Sequence, residues 1–206
     1  MSKKEDRRRL VYDGESPYPS PELVALLAAG VLPGKRALEA GCGIASDALL
    51  LASEGWRVDA IDLDRRALAQ ARRRATQLGL DVSFQEGDAA ALPFDDGTFD
   101  LVLDRLLWNN VLADGNGARY VAELARVTRP GARVLVRAKS AEWHTVADSF
   151  REGSARDLGG RAVWRAIDRH FRARAPARRV MLVAPAGPLV PANVLLLERR
   201  ASRRGD

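Results

Sequence analysis

The segment Ala37-Leu-Glu-Ala-Gly-Cys-Gly-Ile-Ala-Ser46 constrains this 206-residue chain more than any other stretch. Pro33-Gly34 precedes it, and Gly41 and Gly43 interrupt it, so it reads as a short buried strand that enters a tight, glycine-permitted turn. Residues 47–52 follow with Ala48, Leu49, Leu51 and Ala52 on an apolar face, and Gly55 stops the run. A strand, a Gly-rich turn and a helix in that order aim backbone N–H groups at a ligand beside the helix N-terminus.

A dinucleotide, a phosphate and S-adenosylmethionine (SAM) are the ligands such a turn takes. A dinucleotide fingerprint wants a third glycine where Ser46 stands, and it would set Glu39 near a pyrophosphate that the carboxylate repels. No Gly-Lys-Ser/Thr follows the glycines, which excludes a Walker loop. A ligand that carries an ammonium and a sulfonium gains from a carboxylate at the strand end, because opposite charges attract in a partly dry cleft. Glu39 therefore favours SAM.

At these residues the chain resembles the class I SAM-dependent methyltransferases, whose first motif is an acidic residue, any residue, then Gly-x-Gly-x-Gly. Here it reads Glu39-Ala-Gly41-Cys-Gly43-Ile-Ala45, with alanine for the third glycine. A later passage adds Leu92-Pro-Phe, Asp96-Gly and Phe99-Asp100 in the order that recurs in that family. The resemblance covers roughly residues 10–200 and is densest over 37–105. It implies a Rossmann-like α/β fold: a seven-stranded, mostly parallel sheet with an antiparallel edge strand and helices on both faces.

The order of elements points the same way. An irregular arm, residues 1–21, carries Pro17, Pro19 and Pro21, and a helix follows from Pro21 to about Ala29. The arm reads either as a cover for a bound ligand or as a plain extension. Residues 56–62 form a second strand ending in Asp62, which follows Gly43 by 19 positions, the distance at which an acidic side chain reaches a ribose diol. Asp64 can cap the helix 65–78, leaving Asp62 for the ligand. Residues 81–85 and 99–103 are further strands, 116–129 a helix broken by Arg129-Pro-Gly131, and 133–138 a fifth strand. A helix near 161–171 and strands near 178–184 and 193–199 close the pattern on a strand pair.

The resemblance also implies roles. SAM would be held by Glu39, Gly41, Cys42, Gly43 and Asp62, with Asp88 accepting from the adenine amine and Leu63 and Ala89 walling the ring. Tyr18 in Ser16-Pro-Tyr-Pro and the pair Asp104-Arg105 resemble passages of the thiopurine and tellurite-resistance methyltransferase group, which adds Tyr18 and Asp104 to the cofactor set. Arg105, Trp108, Asn109 and Trp143 are candidate acceptor contacts. His144 is the candidate general base and Arg105 a second catalytic candidate. Methyl transfer is an in-line displacement, so alignment of donor and acceptor supplies much of the acceleration, and a base assists only the less acidic or weaker nucleophiles.

Composition limits the alternatives. The chain suits one domain, and neither a leader peptide nor a spanning helix is expected, so the cytoplasm is the expected compartment. A single cysteine, Cys42, leaves no intramolecular disulfide and no cysteine-based zinc cluster. The formal charge is +6, but residues 1–10 hold five basic against two acidic side chains and residues 199–206 hold four against one. The tails, including the short basic end 200–206, thus account for the whole excess, and the body is formally neutral. The partner expected is a small-molecule acceptor taking methyl on O, N or S, with no specific nucleic acid, no membrane, and a monomer or homodimer. RNA or DNA methylation and a non-catalytic SAM-binding partner protein are the alternatives.

Overall fold

The computed structural model describes residues 16–139, 160–174, 178–182 and 190–201. In chain order the elements are α1 (Pro21–Ala28), β1 (Arg36–Ala40), α2 (Ser46–Ser53), β2 (Arg57–Asp62), α3 (Arg65–Leu78), β3 (Ser83–Glu86), a 3-10 turn (Ala89–Ala91) and β4 (Phe99–Arg105). Then come α4 (Leu107–Ala113), α5 (Gly117–Val127), β5 (Thr128–Lys139), α6 (Gly160–His170), β6 (Phe171–Ala173), β7 (Arg178–Leu182) and β8 (Val190–Arg199).

The sheet order is β3-β2-β1-β4-β5-β8-β6, with β7 also on β8. The first five strands are parallel, and β8 runs antiparallel to β5. β5 takes one edge of β8, so β6 (opposite 197–199) and β7 (opposite 190–194) share the other. Eight strands therefore fill seven positions, and the antiparallel edge is one strand broken in two. The central strands are apolar and buried throughout: Ala37, Leu38 and Ala40 on β1 and Leu101, Val102 and Leu103 on β4, as strands covered on both faces require. Two apolar clusters flank them. One gathers α4, α5 and α6 against Val102, Val134 and Leu195; the other gathers α1, α2 and α3 against Leu101, Leu103 and Leu135.

Three local departures from the sequence-based expectation have physical causes. Residues 104–110, to which the sequence assigns neither helix nor strand, end in α4, whose first turn receives a hydrogen-bond acceptor from the preceding strand: Asp104 Oδ1 accepts from the Trp108 N–H at 3.1 Å. Arg129-Pro-Gly131, expected as a break before β5, is instead a bulge inside it. The register passes from Phe99–Thr128 to Leu101–Arg133, and Gly131 takes φ +84° where the extra residues loop out. β6 is three residues long and too short to carry a period of its own.

The strand order reverses between β1 and β4, with β2 on one side of β1 and β4 on the other. A crevice opens at such a switch point outside the carboxyl ends of the strands. Here those ends are Ala40-Gly41 and Asp104-Arg105.

Candidate active site at the ends of β1, β2 and β4

The turn after β1 runs through three left-handed residues: Gly41 (φ +64°), Gly43 (φ +52°) and Ala45 (φ +59°). At Gly41 a side chain is excluded twice over, since a Cβ there would also come within 2.9 Å of the Leu107 Cβ on α4. The turn is tied to β2 by two backbone donors, and a third, just past β2, shares the Asp62 carboxylate. Cys42 N–H donates to Ile61 O at 2.9 Å, Gly43 N–H to Asp62 Oδ2 at 2.8 Å, and Asp64 N–H to Asp62 Oδ1 at 2.8 Å. Asp64 caps α3 by accepting from Arg66 N–H. Asp62 is nevertheless not left free: each of its oxygens already serves one backbone N–H, so its role includes fixing the turn.

Ala45 occupies the N-cap of α2 and has no side-chain acceptor. Glu39 supplies one from β1, its Oε2 accepting from Ala48 N–H at 2.8 Å. Glu39 is 1% exposed, and burial first, then the neighbouring Asp47 carboxylate, push its pKa well above the ordinary range. Asp47, also buried, accepts from Ser20 N–H and from Ser20 Oγ–H, both at 2.5 Å. Arg105 Nη1 lies 3.9 Å from Asp47 and donates to Tyr18 O at 3.0 Å. Arg74 on α3 donates to Ile44 O, Ser46 Oγ and Pro17 O, and Ser46 Oγ–H donates to Ser16 O. Residues 16–20 of the arm are thereby laid across the N-terminus of α2.

Asp104, the last buried residue of β4, faces inward. Besides Trp108 N–H it accepts from Tyr120 Oη–H at 3.0 Å, and burial raises its pKa to about 7. Its two oxygens serve α4 and α5, so it anchors both helices at the end of β4. Trp108 is 2% exposed and packs edge-on against Tyr120 at 5.8 Å, which places it in the core.

The other expected residues divide. Leu63 (68% exposed) and Asp88 stand at the open side beyond β2 and β3; Asp88 Oδ1 accepts from Ala90 N–H, and Ala89 is buried beneath it. The Tyr18 ring is 74% exposed while its carbonyl is the part engaged. Cys42 is buried and its thiol pKa is raised by that burial, which suits a packing role. Asn109 is half-buried on α4 and Asn110 exposed. Trp143 and His144 lie outside the described residues. Sequence reasoning missed Ser20, Glu22, Asp47, Arg74, Tyr120 and Arg137. Only Arg137 gave a signal, as a charge inside the apolar run of β5.

Comparison with known proteins agrees with this geometry. Residues 37–131 match the family model described as a methyltransferase domain. An uncharacterized protein of Mycobacterium tuberculosis is 34% identical over 149 residues, covering 70% of this chain and 53% of the relative. Demethylmenaquinone methyltransferase of Beutenbergia cavernae is 37% identical over 109 residues, covering 53% and 42%. This chain spans about half the length of these curated relatives. Among solved structures, a protein from work on conversion of a disulfide bond into a thioacetal group during echinomycin biosynthesis superposes with TM-score 0.73 at 25% identity, over 94% of this chain and 91% of that one. A SAM-dependent methyltransferase of Methanosarcina mazei shares the fold, with TM-score 0.71 at 20% identity over 90% and 100%. The chain thus carries a methyltransferase domain, and its fold is the one seen in SAM-dependent methyltransferases. Among the described residues no helix is long and apolar enough to cross a membrane.

Two outcomes follow from these contacts. Asp104 has a folded pKa of about 7 against an unfolded value near 3.9, so between them the folded state binds the extra proton. Stability from this group is full below about pH 4 and is lost as pH rises through about 7, by about 4 kcal/mol. Asp104→Asn should therefore flatten the decline of denaturant-measured stability between pH 4.5 and 7.5, and an unchanged slope would refute the assignment. Gly41→Ala should cost about 1–3 kcal/mol in the same assay, since both φ and the Leu107 contact oppose it; a neutral effect would show that the turn is not held as described.

Proposed function

We propose that this protein transfers the methyl group of SAM to the O, N or S atom of a small-molecule acceptor. The observation that carries the reading is the arrangement at the switch point: a left-handed Gly41–Ala45 turn whose geometry is fixed by the Asp62 carboxylate, with a second carboxylate, Glu39, buried behind it. Carboxylates at both strand ends suit a ligand with hydroxyls, an ammonium and a sulfonium, and oppose a pyrophosphate. SAM when bound supplies an electrophilic methyl on a positively charged sulfur.

In this reading Asp62 accepts from the ribose hydroxyls through lone pairs that the Gly43 and Asp64 donors leave over, two sites per oxygen being available. Leu63 covers the adenine ring from its exposed position, with Asp88 and Ala89 at the edge of the ring. Glu39 acts at one remove by holding the N-terminus of α2. The arm residues 16–20 close over the same region and exclude water. Relatives named as demethylmenaquinone methyltransferases support a small acceptor. The neutral body supports it too, since tight binding of nucleic acid draws on several phosphate contacts.

Asp62→Ala tests the cofactor half. SAM affinity, read by calorimetry, should fall by about 10- to 150-fold, the loss expected when a charge-assisted pair of hydrogen bonds is removed. The melting temperature should fall as well, because Gly43 and Asp64 lose their acceptor. Wild-type affinity in the variant would overturn the ribose assignment. The transfer half is tested by S-adenosylhomocysteine release across a panel of phenols, amines, thiols and carboxylic acids. Binding of SAM without release on any acceptor, together with transfer to RNA, would overturn the small-molecule reading.

A further inference from the structure

Arg105 and Arg137 are register partners on the adjacent parallel strands β4 and β5, side by side at the carboxyl ends. Like charges directly opposite one another across a strand pair repel. Both are nonetheless buried, their side chains 9% and 8% exposed, and the Nε donor of each has no partner among the described residues. The backbone holds them there. Leu106, immediately after Arg105, adopts a left-handed φ of +71°, which a leucine takes only under constraint, and its N–H donates to Arg137 O at 2.8 Å.

The two guanidinium groups line one small cavity together with apolar Leu103, Leu135 and Val194, and the buried Asp104 lines it as well. Two anions face them from the covering layer. Asp47 stands 3.9 Å from Arg105, and Glu22, in the first turn of α1, pairs with Arg137 Nη2. Each oxygen of Asp47 accepts from Ser20, whereas Glu22 pairs, among the described residues, with Arg137 and is half-buried. A forked, weakly hydrated cation with an unspent donor is the group best suited to a carboxylate or other oxyanion, and the apolar part of the lining suits a hydrocarbon body attached to it.

We propose that Arg105 and Arg137 form the seat for an anionic group of the methyl acceptor, that the Glu22 carboxylate occupies this seat when no acceptor is bound, and that the acceptor is a small organic acid with an apolar body. The inference rests on the methyl-transfer reading above and adds the substrate class. Position argues for the acceptor over the donor: Arg137 is on β5, on the far side of β4 from the β1–β2 half that carries Asp62.

Benzoate and its uncharged counterpart benzamide are suitable probes, titrated by calorimetry into the full chain saturated with S-adenosylhomocysteine. Glu22→Gln vacates the seat and should tighten benzoate by about fivefold or more while leaving benzamide within twofold. Adding Arg137→Gln to Glu22→Gln should abolish the gain, and Arg137→Lys, which keeps the charge without the fork, should restore part of it. Equal gains for benzoate and benzamide, or a benzoate gain that survives Arg137→Gln, would overturn the proposal. Benzoate that binds only when S-adenosylhomocysteine is absent would assign the seat to the donor's own carboxylate and overturn it equally. Failure to bind S-adenosylhomocysteine would count against the methyl-transfer reading instead. If melting curves show that the Arg137→Gln double variant does not fold, Arg105→Gln in the Glu22→Gln background takes its place with the same expected loss.

Discussion

The hydrogen bond from Ala48 N–H to the buried Glu39 carboxylate is the contact on which the rest of the site depends. α2 begins on an alanine in the left-handed region, so its first turn has neither a side-chain cap nor a relaxed entry. A carboxylate brought in from β1 supplies the missing acceptor and meets the positive end of the helix dipole. The cost is that Glu39 is desolvated beside Asp47, which is why its pKa is driven upward. Asp47 offsets its own burial by taking both donors of Ser20, and that pair fixes the start of α1. Once α1 is fixed, Glu22 in its first turn falls over Arg137. One buried acceptor on β1 thus determines, through α2 and the arm, what covers the ends of β4 and β5.

The β4 side of the crevice is stiff for a related reason. Asp104 joins β4 to α4 through Trp108 N–H and to α5 through Tyr120 Oη, and Trp108 and Tyr120 pack on each other in the apolar cluster beneath. Leu106 then has to turn through the left-handed region to leave the strand, and Gly41 is kept bare by Leu107 one residue later. The two walls of the crevice are in contact through that leucine. A change in α4 is therefore felt at the glycine turn, although the two are far apart in sequence.

What could be read in the chain was whatever depends on local sequence. The β1 turn, the capped helix from Asp64 to Gly79 and the alternation of strands and helices are each set by residues within a few positions of one another, and the structure shows them where the spacing put them. α4 escaped because its cap comes from Asp104 within a buried strand and not from a Ser, Thr, Asp or Asn at the N-cap position, which Leu106 fills. Trp108 was legible as a residue near the crevice but not as one turned into the core, since the direction of a side chain after the left-handed Leu106 is a property of the backbone. Ser20, Glu22 and Asp47 were invisible for another reason. Their partners lie 27 to 115 residues away, and no short pattern encodes such pairs.

Neutrality of the body conceals a segregation of charge that the fold makes visible. Arg133, Arg172 and Arg174 converge on Glu198 at β5, β6 and β8, so that region carries more cations than anions. The crevice has the opposite sign at its rim, where Asp47 stands at the start of α2 and Asp62 at the end of β2; Glu39 and Asp104, whose pKa values burial raises, add less charge. Such a concentration of carboxylates attracts a sulfonium and repels free anions, because a low-dielectric wall lengthens the reach of each charge. An anionic acceptor could not enter that field on the strength of the surface charge alone. It would need arginines of its own, buried so that solvent does not screen them and paired so that together they outweigh the neighbouring acids. Arg105 and Arg137 have the burial and the adjacency that this requirement sets, and Glu22 shows that a carboxylate is accepted there.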